Sequence, residues 1–234
     1  MAIKAVFFDV GGTLIRPYPS VEEVFVSVAR DMGYDVSLEE AFMRGHIMDE
    51  YYEEQYAHDP RLWCTRDSVY KLYITMFRLL AEELNIPKPH DELVVRVHGM
   101  FDDNRHWKLF DDVIDCLDSL KLAGYKLGVI SNWSDDLAVL LGYMGIREYF
   151  DDVVSSAEVD CQKPDPRIFR LAAKRMGVTP QECVHIGDLT EADGASFNVG
   201  FHPIFFDRKN SIEYCPFDKV SSLIDAVDVC RSIK

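Results

Sequence analysis

The sequence predicts an α/β fold, a doubly wound parallel sheet that carries an inserted block of helices. Two observations support this prediction. After residue 107, short apolar runs alternate with amphipathic segments, as strands and helices do in a parallel sheet. Between residues 17 and 107 the convincing signals are those of helices. We therefore predict a core formed by residues 1–16 and 108–234, and a helical insertion at 17–107.

The first predicted element is an apolar run at residues 3–10 that is followed by Gly11 and Gly12. A short β-rich run that ends in glycines predicts a buried parallel strand and its turn. A single strand leaves its backbone groups unpaired. We therefore expect it to join the strands that come after residue 107.

The insertion is predicted to contain four helices. Ser20 and Ser37 each start a Ser-x-x-Glu run, which is typical of a capping box, and Thr65 is a third candidate N-cap. Apolar residues recur at helical spacing after each of them, and again at residues 93–101. About ninety residues of helices can form a bundle of their own.

The remaining elements alternate along the core. The predicted strands cover residues 125–130, 153–154, 183–186 and 203–206. The predicted helices cover residues 113–122, 137–143, 166–176, 190–198 and 220–232. Apolar strands separated by helices favour a parallel sheet that is covered on both faces.

The charge balance excludes several kinds of partner. The 234 residues include 40 acidic and 25 basic ones, a formal net charge of −15, so nucleic acid and anionic membrane surfaces are poor partners. The excess is largest in the insertion, where residues 17–107 hold 18 acidic and 9 basic side chains. We expect a small-molecule substrate, and a monomer or a homodimer.

The cysteines and the apolar runs indicate the compartment. The six cysteines form no CxxC pair and no zinc-binding spacing, which predicts free thiols in a reducing environment. No run approaches the roughly 18 apolar residues of a membrane helix, and there is no signal-peptide pattern. The expected location is the cytoplasm.

Polar side chains follow the predicted strands at the points where these strands end. Asp9 ends the first strand, Ser131 and Asn132 follow the second, Lys163 lies in the loop after 153–154, and Asp188 follows 183–186. Ligands of open parallel sheets bind outside the carboxyl ends of the strands. Each residue alone fits an ordinary turn or cap, but their shared placement predicts one functional site.

These residues resemble the four motifs of the haloacid dehalogenase-like hydrolase superfamily, in the same order and over the whole chain. The matching runs are Phe8-Asp9-Val10-Gly11-Gly12-Thr13-Leu14, Ile130-Ser131-Asn132, Gln162-Lys163-Pro164-Asp165, and Gly187-Asp188 followed by Asp193. The resemblance implies a Rossmann-like core, and the insertion resembles the C1-type cap of that superfamily. The subgroup it indicates contains 2-haloacid dehalogenases and small-molecule phosphatases.

The resemblance also implies a hydrolytic mechanism with Mg²⁺. Asp9 would attack phosphorus and form an aspartyl-phosphate that water then hydrolyses. Ser131 and Lys163 would hold the phosphoryl oxygens. The metal ligands would be Asp9, the Gly11 carbonyl and Asp188, with Asp193 ligating through water or orienting the site. The implied substrate contacts are Thr13, Asn132 and Trp133.

One position departs from the pattern of the phosphatases. They carry a second aspartate two residues after the nucleophile as general acid and base, and this chain has Gly11 there. General acid–base catalysis contributes about 10²–10⁴-fold, so Gly11 predicts a weak phosphatase, one restricted to good leaving groups, or one that uses a cap residue instead. Gly11 also leaves open a 2-haloacid dehalogenase-like hydrolase, or a non-catalytic phosphate-binding regulatory protein on the same fold. Asp188 favours the metal-dependent phosphatase, because a second carboxylate beside Asp9 calls for a cation.

Overall fold

The computed structural model describes residues 2–233, and the chain divides into two compact units. One unit contains residues 1–16 and 109–234, and the other contains residues 17–108. Two short strands, β2 (Ile15–Pro17) and β3 (Trp107–Leu109), pair with each other where the chain passes between the units. The sequence pattern predicts no strand at either position.

The first unit is built on a six-stranded parallel sheet flanked by helices. Its strands are β1 (Ala5–Phe8), β4 (Lys126–Ser131), β5 (Asp152–Ser155), β6 (Cys183–Gly187), β7 (His202–Phe206) and β8 (Asp218–Val220). Their spatial order is β5-β4-β1-β6-β7-β8. The predicted α/β class with a parallel sheet is confirmed.

The register of the sheet brings the ends of three strands together. Phe8, the last residue of β1, lies opposite Val129 of β4 on one side and opposite Ile186 of β6 on the other. All four residues of β1 are buried, because this strand has a neighbour on each edge and helices on the faces. The residues that follow β1, β4 and β6 therefore meet at one edge of the sheet.

The helices of this unit are α6 to α11. They cover Val113–Leu122 (α6), Leu137–Tyr143 (α7), Ser156–Val159 (α8), Pro166–Arg175 (α9), Thr190–Gly194 (α10) and Leu223–Ser232 (α11). The helix α9 has Asp165 as its N-cap and Pro166 in its first turn, and it buries Phe169 and Ala172 against the sheet core.

The prediction for two segments of this unit was wrong. The segment 190–198 is not one α-helix, because α10 stops at Gly194 and a 3₁₀ helix, Ala195–Val199, follows. A Cβ at Gly194 would lie 2.6 Å from the ring of Phe217, so this ring occupies the space that a side chain at position 194 would need. The last helix begins at Leu223, and residues 218–220 form the edge strand β8, whose charged Asp218 and Lys219 hid the strand pattern.

The second unit contains the helices α1 to α5. They cover Val21–Asp31 (α1), Leu38–Arg44 (α2), His46–His58 (α3), Arg66–Glu83 (α4) and Asp91–Phe101 (α5). The predicted capping box is present, since Glu23 N–H donates to Ser20 Oγ at 3.2 Å and Ser20 N–H donates to Glu23 Oε2 at 2.7 Å. The single helix expected after Ser37 is instead two helices, α2 and α3, which meet at Gly45. Their common core includes Phe25, Phe77, Leu80 and Val94.

All six cysteines are free thiols, as predicted. Among the described residues, no helix is long and apolar enough to cross a membrane.

Candidate active site

Asp9 lies one residue beyond β1, where its backbone N–H donates to the Ile186 carbonyl at 2.8 Å and extends the sheet. One carboxylate oxygen, Oδ1, accepts two hydrogen bonds, from Ser131 Oγ at 3.0 Å and from Lys163 Nζ at 2.6 Å. The other oxygen, Oδ2, accepts none from the described residues. The carboxylate is thus held through one oxygen and leaves the other open to an incoming group.

Lys163 is 1% exposed, and Asn132 fixes the backbone beside it. Lys163 N–H donates to Asn132 Oδ1 at 2.8 Å, and Asn132 Nδ2 donates to the Lys163 carbonyl at 3.1 Å. These paired bonds tie the end of β4 to the lysine loop. Asn132 is therefore a positioning residue for Lys163, and its contact with substrate stays a prediction.

Asp193, in the short helix α10, is the second carboxylate partner of Lys163 Nζ. It is 3% exposed, and its Oδ2 accepts from Leu189 N–H at 3.0 Å. Its Oδ1 accepts from Lys163 and also from His185 Nε2, at 2.8 Å. The ammonium group of Lys163 therefore bridges the carboxylates of Asp9 and Asp193.

His185 is the member of this cluster that sequence reasoning missed. It lies in the middle of β6, and its ring is fully buried with an edge-on contact to Phe169 at 5.4 Å between ring centroids. A signal did exist in the sequence, because the other residues of β6 are apolar or glycine. A histidine in such a strand needs a polar partner, and here that partner is Asp193.

Asp188 follows β6 and completes an acidic group with Asp9 and Asp193, in which one oxygen from each carboxylate lies within 4.8 Å of the others. The turn after β1 approaches Asp188 closely. Gly12 has φ +75°, and a Cβ there would lie 2.1 Å from Asp188 Oδ2. Thr13 Oγ1 lies 3.5 Å from Asp188 Oδ1, at the outer limit of a hydrogen bond. Thr13 thus lies beside the acidic group, and its contact with substrate stays a prediction.

The electrostatics of the cluster follow from burial and from the single lysine. Burial raises the pKa of Asp9, and the opposing effect of Lys163 does not cancel it. Burial also acts to raise the pKa of Asp193, but Lys163 and His185 outweigh it and hold that pKa below the usual range. The two carboxylates outweigh desolvation at Lys163, so its pKa is raised and the ammonium stays charged.

Asp188 is the carboxylate whose negative charge no cation in the cluster neutralises. Burial raises its pKa well above the usual value, and the charges of Asp9 and Asp193 raise it further. Three carboxylates face one ammonium group, so the cluster lacks positive charge. A divalent cation with a preference for carboxylate oxygens fits this deficit.

The hydrogen bonds also sort the candidate metal ligands. Among the described residues, Asp9 Oδ2 accepts no hydrogen bond, and the long contact from Thr13 is the one side-chain hydrogen bond to Asp188, so both can offer an oxygen. Both oxygens of Asp193 already accept hydrogen bonds from the protein. Asp193 therefore suits a water-mediated or orienting role. The ligand role of the Gly11 carbonyl stays a prediction.

Trp133 lies beside Gly11. A Cβ at Gly11 would lie 3.3 Å from Cζ3 of the Trp133 ring. The backbone of Trp133 is fixed by Ser156, whose Oγ accepts from Trp133 N–H at 3.1 Å and donates to its carbonyl at 3.2 Å. The indole thus lies where a side chain at position 11 would project, and its contact with substrate stays a prediction.

The fold and the acidic cluster place this chain among α/β proteins that carry their chemistry at the carboxyl edge of a parallel sheet. Residues 3–197 match the family model of the haloacid dehalogenase-like hydrolases, so the chain belongs to that family.

Known proteins agree with this assignment. Haloacid dehalogenase-like hydrolase domain-containing protein 3 of Mus musculus is 30% identical, over 99% of this chain and 96% of that protein. Glyceraldehyde 3-phosphate phosphatase of Methanopyrus kandleri is 32% identical, over 82% of this chain and 78% of that protein. Among solved structures, a HAD phosphatase from Thermococcus onnurineus matches with a TM-score of 0.63 and 26% identity, over 97% of each chain. The prediction of a hydrolase of this superfamily is confirmed.

Proposed function

We propose that this chain hydrolyses the phosphate monoester of a small metabolite, with Asp9 as the nucleophile and with Mg²⁺ as cofactor. The observation that carries the proposal is the asymmetric environment of Asp9. Its Oδ1 is held by Ser131 and Lys163, whereas its Oδ2 accepts no hydrogen bond from the described residues, and two further carboxylates lie close to it. A carboxylate held in this way is oriented for attack on phosphorus.

The proposed reaction has two steps. The Asp9 carboxylate forms a bond to phosphorus while the bond from phosphorus to the ester oxygen breaks, and the leaving oxygen keeps the electron pair and takes a proton from solvent. The oxygen of a water molecule then forms a bond to phosphorus while the bond from phosphorus to the Asp9 oxygen breaks. Asp9 recovers its carboxylate, and the protons of the water leave with inorganic phosphate or pass to solvent. Lys163 and Ser131 stabilise the charge on the phosphoryl oxygens.

The other site residues have supporting roles in this proposal. Asp9 and Asp188 would hold the metal, together with the Gly11 carbonyl, and Asp193 would orient the site. Bound Mg²⁺ would supply charge neutralisation beside the phosphate. The substrate contacts would come from Thr13, Asn132 and Trp133.

The wider setting follows from the same argument. The phosphatase-named relatives support a small phosphorylated substrate. Free thiols suit the reducing cytoplasm, and the acidity of the chain disfavours nucleic acid and membrane surfaces as partners. We assign the helical unit at 17–108 the role of a cap that sets substrate specificity, in a monomer or a homodimer.

The test is a panel of phosphorylated metabolites measured with and without Mg²⁺. The variants are Asp9→Asn, Asp188→Asn and, as a control, Asp228→Asn, whose carboxylate is an exposed partner of Arg231. We expect loss of turnover by about 10³-fold or more in Asp9→Asn, since it lacks the nucleophile. Asp188→Asn should lose Mg²⁺ dependence together with activity, and the control should match the wild type. Turnover retained in Asp9→Asn would overturn the proposal.

Gly11 favours a second candidate, a 2-haloacid dehalogenase-like hydrolase, because the side chain that phosphatases use as general acid is missing. Release of halide from 2-chloropropionate that is insensitive to a chelator would support it. A third reading, a non-catalytic regulatory protein, would be supported by binding of Mg²⁺ and phosphate without turnover of any member of the panel.

A further inference from the structure

His185 differs from the other polar residues of the site because it touches neither Asp9 nor the open edge of the sheet. It lies inside the sheet, fully buried, with its Nε2 at 2.8 Å from Asp193 Oδ1. Its other ring nitrogen, Nδ1, is buried and has no hydrogen-bond partner among the described residues. A buried polar atom without a partner lowers stability.

Packing of the strand alone does not require a histidine at position 185. The strand positions on either side of His185 are held by Val184 and Ile186, which are fully buried apolar side chains. An apolar side chain at 185 would leave no unpaired nitrogen in the core. The histidine therefore carries a cost in folding that only its bond to Asp193 offsets.

The bond to Asp193 matters because of what Asp193 holds. Asp193 Oδ1 accepts from both His185 and Lys163, and Lys163 in turn donates to Asp9 Oδ1 at 2.6 Å. Since an ionised carboxylate has no proton to give, His185 donates to Asp193 through Nε2–H. Backbone contact from Leu189 fixes only the opposite oxygen, Oδ2.

We propose that His185 is a positioning residue for the reaction: its Nε2–H fixes the rotation of the Asp193 carboxylate, which sets where Lys163 Nζ lies relative to Asp9. The proposal rests on the proposed function for its kinetic consequence. A displacement of a catalytic group by about 1 Å can lower the rate by roughly 10²-fold. The effect falls on kcat more than on KM, because Lys163 acts on charge that develops during the reaction.

The test compares His185→Phe, which keeps the ring volume without a donor, with His185→Gln, whose side-chain amide can donate from nearly the place of Nε2. His202→Phe serves as control, because His202 is exposed on β7. We expect kcat to fall about 10–100-fold in His185→Phe with KM within a few fold, and to stay within a few fold of wild type in His185→Gln and the control. Equal losses in the Phe and Gln variants, or no loss in the Phe variant, would overturn the proposal.

Two readouts do not depend on turnover. Crystal structures should show Lys163 Nζ moved away from Asp9 in His185→Phe, and its 2.6 Å contact retained in His185→Gln. Retention of that contact in the Phe variant would contradict the proposal. If the Phe variant does not fold, His185→Leu takes its place in both measurements. In the wild type, ¹⁵N NMR should find a proton on His185 Nε2, and an Nε2 without a proton would refute the argument. A wild type without phosphatase activity would refute the proposed function and leave these two readouts to decide the role of His185.

Discussion

Replacing Lys163 by methionine tests how the acidic cluster is stabilised. The side chain is 1% exposed and donates to both Asp9 and Asp193. Methionine preserves most of its volume but leaves two buried carboxylates without their cation. Breaking a buried ion pair in this way costs about 3–5 kcal/mol. For a chain of this size, that loss corresponds to a fall in Tm of roughly 6–20 °C.

The matched control is Lys71→Met. Lys71 pairs with Asp67 at 2.6 Å, a distance like that in the buried cluster, but both side chains are about 70% exposed. An exposed pair of this kind contributes about 0.3–0.5 kcal/mol. We expect a near-native Tm for the control, measured by thermal unfolding under circular dichroism.

A third variant separates the charge from the packing. Adding Asp193→Asn to Lys163→Met removes one of the two unpaired carboxylates, so part of the lost stability should return although turnover does not. The expected coupling between the two substitutions is about 0.5–3 kcal/mol. Equal, small losses in Lys163→Met and Lys71→Met would refute the claim that Lys163 neutralises the cluster.

Two further predictions concern Gly12, in the turn after β1, and the carboxylate of Asp112. Gly12→Ala should lower the free energy of unfolding by about 1–2 kcal/mol because of the positive φ at this position. It should also lose turnover, because the new methyl group overlaps Asp188. The control Gly33→Ala, at φ +89° with open space around it, should lose stability but keep turnover when both properties are measured. Asp112 is partly buried, but its bonds from Arg208 and Leu223 outweigh desolvation and lower its pKa. Its contribution to stability is therefore present above the usual aspartate range and is lost as pH falls through and below it. Urea unfolding between pH 5 and pH 3 should show a steeper loss in the wild type than in Asp112→Asn, and parallel curves would contradict this.

The sequence predicts those features for which a single physical requirement determines the residue type. The apolar strands, the N-caps at Ser20 and Thr65, and the polar residues at the strand ends could all be predicted, because strand burial, capping and the geometry of a parallel sheet leave few alternatives. The residues Asp9, Lys163 and Asp193 are brought together as that geometry requires.

The features that sequence reasoning missed depend on packing at a distance. The strand β8 has a charged exposed edge and becomes a strand only because β7 lies beside it. Gly194, the last residue of α10, packs against the ring of Phe217, more than twenty residues further along the chain. The bond from His185 to Asp193 joins a strand to the following helix, and no periodicity in the sequence indicates which polar partner a buried histidine finds.

The central place of β1 in the sheet has a consequence for how the protein is made. The strand leaves the ribosome before its two neighbours, β4 and β6, which follow about 120 and 180 residues later. At a synthesis rate of roughly 5–20 residues per second, the segment that ends in Asp9 waits on the order of ten to thirty seconds for its second neighbour. The helical unit is complete by residue 108, so it can fold within that interval. During each round of synthesis, the apolar strand that precedes Asp9 is thus accessible to chaperones or to other nascent chains until β6 has been made.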